Sequence, residues 1–141
     1  MRKLFISIIF VFSSFFSFSS HFMGGEITWE CIKSGPDIGK YIFQMKVYRD
    51  CNGITFSQTS QTLNAHNYPA LGQQTPILLN FISITDISPN GSVLSGNTCF
   101  DCSAGVLGAV EEYVWRSDPT IMVGTPPSEG WHFTWGSCCR S

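Results

Sequence analysis

This sequence has little charge and few signals for helices. Charged residues make up 13% of its 141 positions, slightly fewer than the aromatic residues at 14%. No window repeats apolar residues at helical spacing between capping residues, so a helical fold is not expected. The basic residues after position 20 are scattered singly. Without a basic patch, neither nucleic acid nor an anionic membrane surface is expected as a partner.

Sequence motifs of catalysis are also missing. The chain contains neither a Gly-x-Ser-x-Gly nor a His-Glu-x-x-His motif, and its three histidines, His21, His66 and His132, lie far apart in sequence. Glu111 and Glu112 are adjacent, so in a strand they face opposite sides and cannot form one acid–base pair. The chain is therefore not expected to be an enzyme, and we assign no catalytic residue, cofactor or metal ligand.

The first twenty residues have the layout of a secretory signal peptide. A short basic start, Met1 to Lys3, precedes an uncharged run from Leu4 to Phe18, and Ser17 and Ser19 supply small residues at a cleavage site. The run is shorter than the roughly 20 apolar residues that span a bilayer. We predict that residues 1–20 form a signal-peptide helix and that residues 21–141 are the exported domain.

Export changes how the charges and cysteines are interpreted. Two of the eight basic residues, Arg2 and Lys3, lie in the predicted signal peptide, which leaves six basic against ten acidic residues. An even number of cysteines in an exported chain predicts disulfides. The six candidates are Cys31, Cys51, Cys99, Cys102, Cys138 and Cys139.

Hairpin geometry restricts the pairing of these cysteines. A turn near Pro36 places Cys31 opposite Tyr41, and Cys51 lies about 33 Å further along the strand at about 3.3 Å per residue. A disulfide needs Cα atoms within about 7 Å, so a Cys31–Cys51 bond is disfavoured. Neighbouring Cys138 and Cys139 face opposite ways in a strand and are not expected to bond to each other. Many pairings stay open, and we expect at least one bond between the Cys99/Cys102 loop and the last strand.

Alternation of apolar and polar residues predicts strands along the rest of the chain. In the first hairpin, Ile27 and Trp29 alternate with Thr28 and Glu30. Further strands are expected in the segments KYIFQMKVYRD, ITFSQTSQTLNA, TPILLNFISITDI, AVEEYVWRS and WHFTWGSCC. Six or seven short strands separated by Gly, Pro and Asn turns predict an all-β fold, an immunoglobulin-like antiparallel β-sandwich stapled by disulfides.

Several aromatic residues are candidates for a ligand-facing surface. An exposed row of such rings could bind sugars, although aromatics at period two are more often part of a core. The candidates are Trp29, Tyr48, Trp115, Trp131 and Trp135.

Three segments resemble the N-terminal region of large secreted surface proteins of gliding bacteria, which often carry a gliding-motility-associated C-terminal domain and immunoglobulin-like or PKD-like repeats. They are SHFMGGEITWEC, YIFQMKVYRDCNG and EEYVWRSDPTIMVGTPPSEGWHFTWGSCCRS. The resemblance implies a cell-surface location and an adhesive or scaffolding role. It implies, as partners, other domains of the same full-length protein and extracellular polysaccharide or protein. Such proteins continue after Cys-Cys-Arg, so we expect this domain to be incomplete at its C-terminal end.

Three functions are therefore considered. The leading hypothesis is a non-catalytic module with an adhesive or scaffolding role at the N-terminus of a larger surface protein. The first alternative is a carbohydrate-binding module that uses exposed aromatic rings, and the second is an exported hydrolase domain.

Export predicts a processed and oxidised protein. When the full chain is expressed in a bacterium with a secretion pathway, mass spectrometry is expected to find an exported species cleaved after residue 19 or 20. Recovery of the unprocessed chain inside the cell, with its thiols reduced, would contradict the prediction.

Overall fold

The computed structural model describes residues 22–67, 76–88, 102 and 108–136. Within these ranges the chain forms six strands and no α-helix, and none of the described residues forms a helix able to cross a membrane. The strands are β1 (Phe22–Cys31), β2 (Tyr41–Asp50), β3 (Gln61–His66), β4 (Ile77–Asp86), β5 (Val110–Arg116) and β6 (His132–Thr134). The predicted signal peptide and His21, Cys99, Cys138 and Cys139 lie outside the described residues.

The first hairpin has the register expected from its turn. Cys31 pairs with Tyr41, and Trp29 pairs with Phe43. The connecting loop is closed by two backbone hydrogen bonds, from Ile32 N to Lys40 O and from Gly39 N to Ile32 O, each 2.8 Å long. Gly39 has a φ of 84°, which glycine adopts without the steric cost that a side chain adds. The sequence prediction of a hairpin with this register is confirmed.

All strand pairs are antiparallel, and the six strands form one sheet in the order β1-β2-β5-β4-β3-β6. The predicted all-β antiparallel fold is confirmed. The strands are connected into a single sheet, whereas a sandwich has two separate ones. The immunoglobulin-like arrangement therefore stays a prediction.

Two strands change neighbours halfway along, and this bends the sheet. β4 pairs with β3 through Ile77–Leu79 and with β5 from Asn80 onward. β3 pairs with β4 through Gln61–Leu63 and with β6 through Asn64–His66. A bulge between Phe81 and Ser83 adds local twist. The sheet consequently curls until side chains of its first and last strands touch.

The core lies on the concave face of this curled sheet. Every second residue of β2 from Phe43 to Arg49 is buried, as are Tyr113 and Trp115 of β5. The buried core cluster consists of Phe43, Met45, Val47, Leu63, Ile77, Leu79, Tyr113 and Trp115. Residues between them, such as Lys46, face the outer side. This alternation, which the sequence predicted, buries large apolar side chains worth about 2–3 kcal/mol each.

One cysteine pair lies at disulfide distance within the described residues. The Cα atoms of Cys51 and Cys102 are 5.1 Å apart, and the bond joins the end of β2 to the connection before β5. Cys31 is exposed and forms no disulfide with a described residue, which agrees with the exclusion of a Cys31–Cys51 bond. The physical reason is its place at the end of β1, which pairs with Tyr41, far from Cys51. The expected bonds of Cys138 and Cys139 lie outside the described residues.

Removal of the disulfide is expected to destabilise the fold. Replacing both Cys51 and Cys102 by serine should lower the free energy of unfolding by about 2–4 kcal/mol, because the bond closes a loop spanning 51 residues in the unfolded chain. Urea denaturation followed by tryptophan fluorescence measures the change. Cys31→Ser is the matched control, expected to change stability by at most about 0.5 kcal/mol because the residue is exposed and unbonded. Equal losses in the two variants would contradict the assignment.

Candidate functional site

The structure separates the predicted ligand-facing aromatics into different environments. Trp29 on edge strand β1 is 56% exposed, whereas Trp115 on the central strand β5 is 1% exposed. Trp115 cannot face a ligand, which corrects its place among the candidates. Trp131 and Trp135 are partly buried on the core side, and Tyr48 lies on the outer face.

Aromatic rings of β1 meet rings of β6 and of Trp135, the residue after β6, along a seam. The ring centroids of Trp29 on β1 and Phe133 on β6 are 5.6 Å apart, and those of Phe22 and Trp135 are 6.3 Å apart. Phe43 of β2 lies below, with its ring 4.8 Å from that of Phe133. Among the described strands, β1 and β6 share no backbone pairing. We call the line where their side chains meet the seam.

An aromatic cleft opens at the Trp29 end of the seam, with a volume of about 300 Å³. None of the described residues that line it is charged. Six of them are Trp29, Tyr41, Phe43, Met122, Trp131 and Phe133. Because the lining offers aromatic and aliphatic surface, it favours uncharged, apolar groups over ions, which would be desolvated without a partner.

The outer wall of the aromatic cleft is a loop that is tied to β2. Tyr41 and Thr120 exchange two backbone hydrogen bonds, each 2.8 Å long. Next to them, Ser117 accepts a hydrogen bond at its hydroxyl from Phe43 N, at 3.0 Å. The loop then places Met122 and Trp131 against the cleft. Sequence patterns gave no indication of the role of this segment, because its contacts are non-local.

A smaller cleft of about 170 Å³ lies at the other end of β1. Phe22, Ile27 and Trp135 contribute apolar lining, Glu26 and Lys46 contribute charged lining, and Gly25 also lines the cleft. A Cβ atom at Gly25 would come within 2.7 Å of the carbonyl oxygen of Lys46. Glycine is therefore required here for β1 to approach β2.

A buried arginine, Arg49, lies near the C-terminal end of β2 and has several partners. Arg49 is 2% exposed, donates to the carbonyl oxygens of Cys51 and Gly53, and pairs with the Glu111 carboxylate. Its guanidinium carbon also lies 5.9 Å from the ring centroid of Tyr113, which donates its hydroxyl to Glu111. Burial is the main cause that raises the pKa of Tyr113, and the nearby arginine opposes it. These contacts neutralise a charge that would be costly to bury alone.

Close to Arg49 lies a group of three side chains of the kinds that bind metal ions. It is the one such group found among the described residues. Cys51, Cys102 and Glu111 bring a ligand atom each to within 4.8 Å of one another. Both sulfurs are bonded to each other, so they offer no thiolate, and Glu111 already faces Arg49. We therefore interpret this cluster as structural.

Glutamates of β1 and β5 form ion pairs on the outer face. Glu112 pairs with Lys46 at 3.0 Å and is the main cause that raises the pKa of that lysine. Glu26 accepts a hydrogen bond from Tyr48, whose pKa is raised chiefly by burial. Glu111 thus faces the core side and Glu112 the outer side, as predicted for adjacent residues in a strand.

Two histidines that lie far apart in sequence are brought together in the fold. His66 on β3 and His132 on β6 are register partners. His66 Nε2 hydrogen-bonds the hydroxyl of Thr134, and His132 Nε2 hydrogen-bonds the carbonyl oxygen of Glu129. These bonds secure the short last strand to its neighbour and to the loop before it.

Comparisons of this chain with protein-family models, with curated proteins and with solved structures find no match. The candidate site is therefore defined by its own geometry. That geometry combines an exposed tryptophan, an uncharged aromatic cleft and a seam at which the side chains of β1 and β6 meet without backbone pairing among the described strands.

Asp86 makes the connection before β5 sensitive to acid. It accepts bonds from the hydroxyl and N–H of Ser88 and from Cys102 N, and these bonds lower its pKa, with the Ser88 hydroxyl as the largest cause. A lowered folded-state pKa stabilises the protein above the ordinary aspartate pKa. This stabilisation is lost as the pH falls through the lowered value.

We expect Asp86→Ala to lower the urea midpoint at pH 7 and to have no effect once the pH is below the pKa of Asp86 in the folded state. Denaturation curves across acidic pH measure this difference. Asp118→Ala, on an exposed loop, serves as control and should follow the wild type. A loss in Asp86→Ala that is independent of pH would contradict the role of its charge.

Proposed function

We propose that this chain is an exported, non-catalytic binding module with an adhesive or scaffolding role at the N-terminal end of a larger surface protein. The observation that carries the proposal is the aromatic cleft, with Trp29 exposed at its mouth and a tied loop as its wall. A large exposed aromatic beside an apolar cleft is a typical sign of an interaction site.

Two features support export as part of this proposal. The first is the signal-peptide layout of residues 1–20. The second is the Cys51–Cys102 pair, since disulfides persist in oxidising compartments outside the cytosol. We also include in the proposal an immunoglobulin-like relationship of the curled antiparallel sheet and its use next to other domains of the same surface protein.

A binding role fits the ionisable groups better than a hydrolase role does. Glu26 and Glu112 both approach Lys46, but they lie on the outer face and do not line the aromatic cleft. Glu111 is occupied by Arg49 and Tyr113. A hydrolase needs a positioned acid and base where substrate binds, and the described residues that line the aromatic cleft include no carboxylate and no histidine.

A carbohydrate-binding role is the second candidate, and exposed Trp29 favours it. Sugar rings stack on such faces, but their hydroxyl groups also need hydrogen-bonding partners when they are buried. Among the residues that the structure describes, those lining the aromatic cleft include no carboxylate, carboxamide, lysine or arginine. Polypeptide with apolar side chains is therefore the favoured ligand class.

Adhesion that depends on Trp29 tests the proposal. Cells that display the chain should be retained under flow on surfaces coated with unfolded polypeptide. Trp29→Ala should lower retention at least about tenfold, because it removes the exposed ring at the mouth of the cleft. Ile38→Ala is the matched control, since Ile38 is an exposed apolar residue outside the cleft lining.

Coatings of soluble polysaccharides, assayed in parallel, distinguish the two candidates. Retention on polysaccharide alone, sensitive to Trp29→Ala, would favour the carbohydrate-binding role. Equal retention of displaying and empty cells on every coating would contradict the proposed function.

A further inference from the structure

We propose that the free edge of β1 binds an extended polypeptide segment whose side chains alternate between apolar and basic residues. The segment adds to the sheet as a further strand beside β1. This inference rests on the proposed function and names the class of partner that the module binds.

The first support is the exposure of β1. None of its ten residues is buried, although its neighbour β2 is buried at alternate positions. β1 is the terminal strand of the sheet, and no strand among the described ranges pairs with its outer edge. The pairing with β2 is regular from Gly24 to Cys31. Such an edge presents unpaired N–H and C=O groups that can template another strand.

The second support is the position of the two clefts along this edge. Ile27 lines the smaller cleft and Trp29 lines the aromatic cleft. Alternate residues of an extended strand are separated by about 6.6–6.8 Å and point to the same face. Side chains two residues apart in an added strand would therefore lie on the face that Ile27 and Trp29 share. The uncharged lining of the aromatic cleft selects apolar side chains on this face.

The third support is charge on the opposite face of β1. Glu26 and Glu30 point outward with side-chain exposures of 49% and 65%, and β1 contains no basic residue. Glu26 pairs with Lys46 of β2 at 3.9 Å and accepts a hydrogen bond from Tyr48, and Glu30 pairs with Arg116 of β5 at 2.9 Å. Such exposed ion pairs are weak in solvent. Basic side chains on the outward face of an added strand would lie opposite these carboxylates. Opposite charges across strands favour pairing.

A second copy of this chain is a poorer occupant of the edge. In an antiparallel pair of β1 strands centred on Thr28, Glu26 of each copy faces Glu30 of the other. Like charges directly opposite one another destabilise a strand pair. The acidic balance of the whole exported part adds to this repulsion.

Synthetic peptides of about ten residues, the length of β1, test the inference with the purified protein. A peptide of alternating valine and lysine is expected to bind at least about tenfold more tightly than two controls. One control has the same composition arranged in blocks, and the other alternates valine with glutamate. Titration calorimetry at low and moderate salt measures the affinities. Equal affinity of the alternating and block peptides would overturn the inference.

Charge reversal on β1 tests the role of its glutamates more specifically. The double variant Glu26→Lys/Glu30→Lys should weaken binding of the valine–lysine peptide at least about tenfold and should strengthen binding of the valine–glutamate peptide. Asp118→Lys, the matched control, makes the same kind of charge change on an exposed loop and should leave both affinities unchanged. An unchanged preference in the double variant would overturn the inference.

A backbone-modified peptide keeps the test decisive if the double variant does not fold. Methylation of the backbone nitrogen at every second residue removes the donors along one edge of the peptide. Methylation on the edge that faces β1 should abolish binding to the wild-type protein, whereas methylation on the other edge should not. If neither methylation pattern abolishes binding, the inference that the peptide adds to the sheet as a strand is overturned.

The remaining outcomes distinguish this inference from the proposed function. A dimer in sedimentation velocity that the double variant dissociates would replace the peptide by a second copy and overturn the inference. Adhesion of displaying cells without binding of any alternating peptide would overturn the inference alone. Absence of adhesion on every coating would be a failure of the proposed function.

Discussion

The packing of Trp115 holds the centre of the sheet together. Its ring stacks on Tyr113 with centroids 5.8 Å apart and meets Phe81 of β4 edge-on at 5.9 Å. Its indole N–H donates to the carbonyl oxygen of Thr59, 2.9 Å away, in the segment before β3. Because β5 lies between β2 and β4, one side chain joins the middle strands and a connection. The curl of the sheet around this centre brings β1 to β6 and creates the seam.

The charged residues near the core stabilise the fold. The proposed binding site, in contrast, is formed by apolar surface. Arg49 is held by Glu111, by two carbonyl oxygens and by the ring of Tyr113. The nearby Cys51–Cys102 bond and the Asp86 bonds tie the connection before β5 to the same end. A buried charge is tolerable only with such partners. None of these residues lines the aromatic cleft, which lies at the seam.

The exposed edge of β1 favours unspecific pairing with other chains, and it is also the proposed binding surface. A ten-residue edge strand without buried residues invites unspecific pairing, and charges on an edge are a common protection. Glu26 and Glu30 disfavour pairing with another copy and favour a basic segment. Trp29, on the opposite face, adds selection for apolar side chains. Protection against self-association and choice of partner thus follow from one arrangement of alternate residues.

Local patterns in the sequence were enough to predict the all-β class, the approximate positions of the strands and the first hairpin, including the pairing of Cys31 with Tyr41. They were enough because strand period and turn position depend on neighbouring residues. Trp29 and Trp115, however, stand in the same alternating pattern, and one is exposed while the other is buried. The difference comes from strand order, which places β1 at an edge and β5 in the centre. The partner of Cys102 and the loop wall of the cleft likewise depend on contacts between distant segments, which period and spacing do not encode.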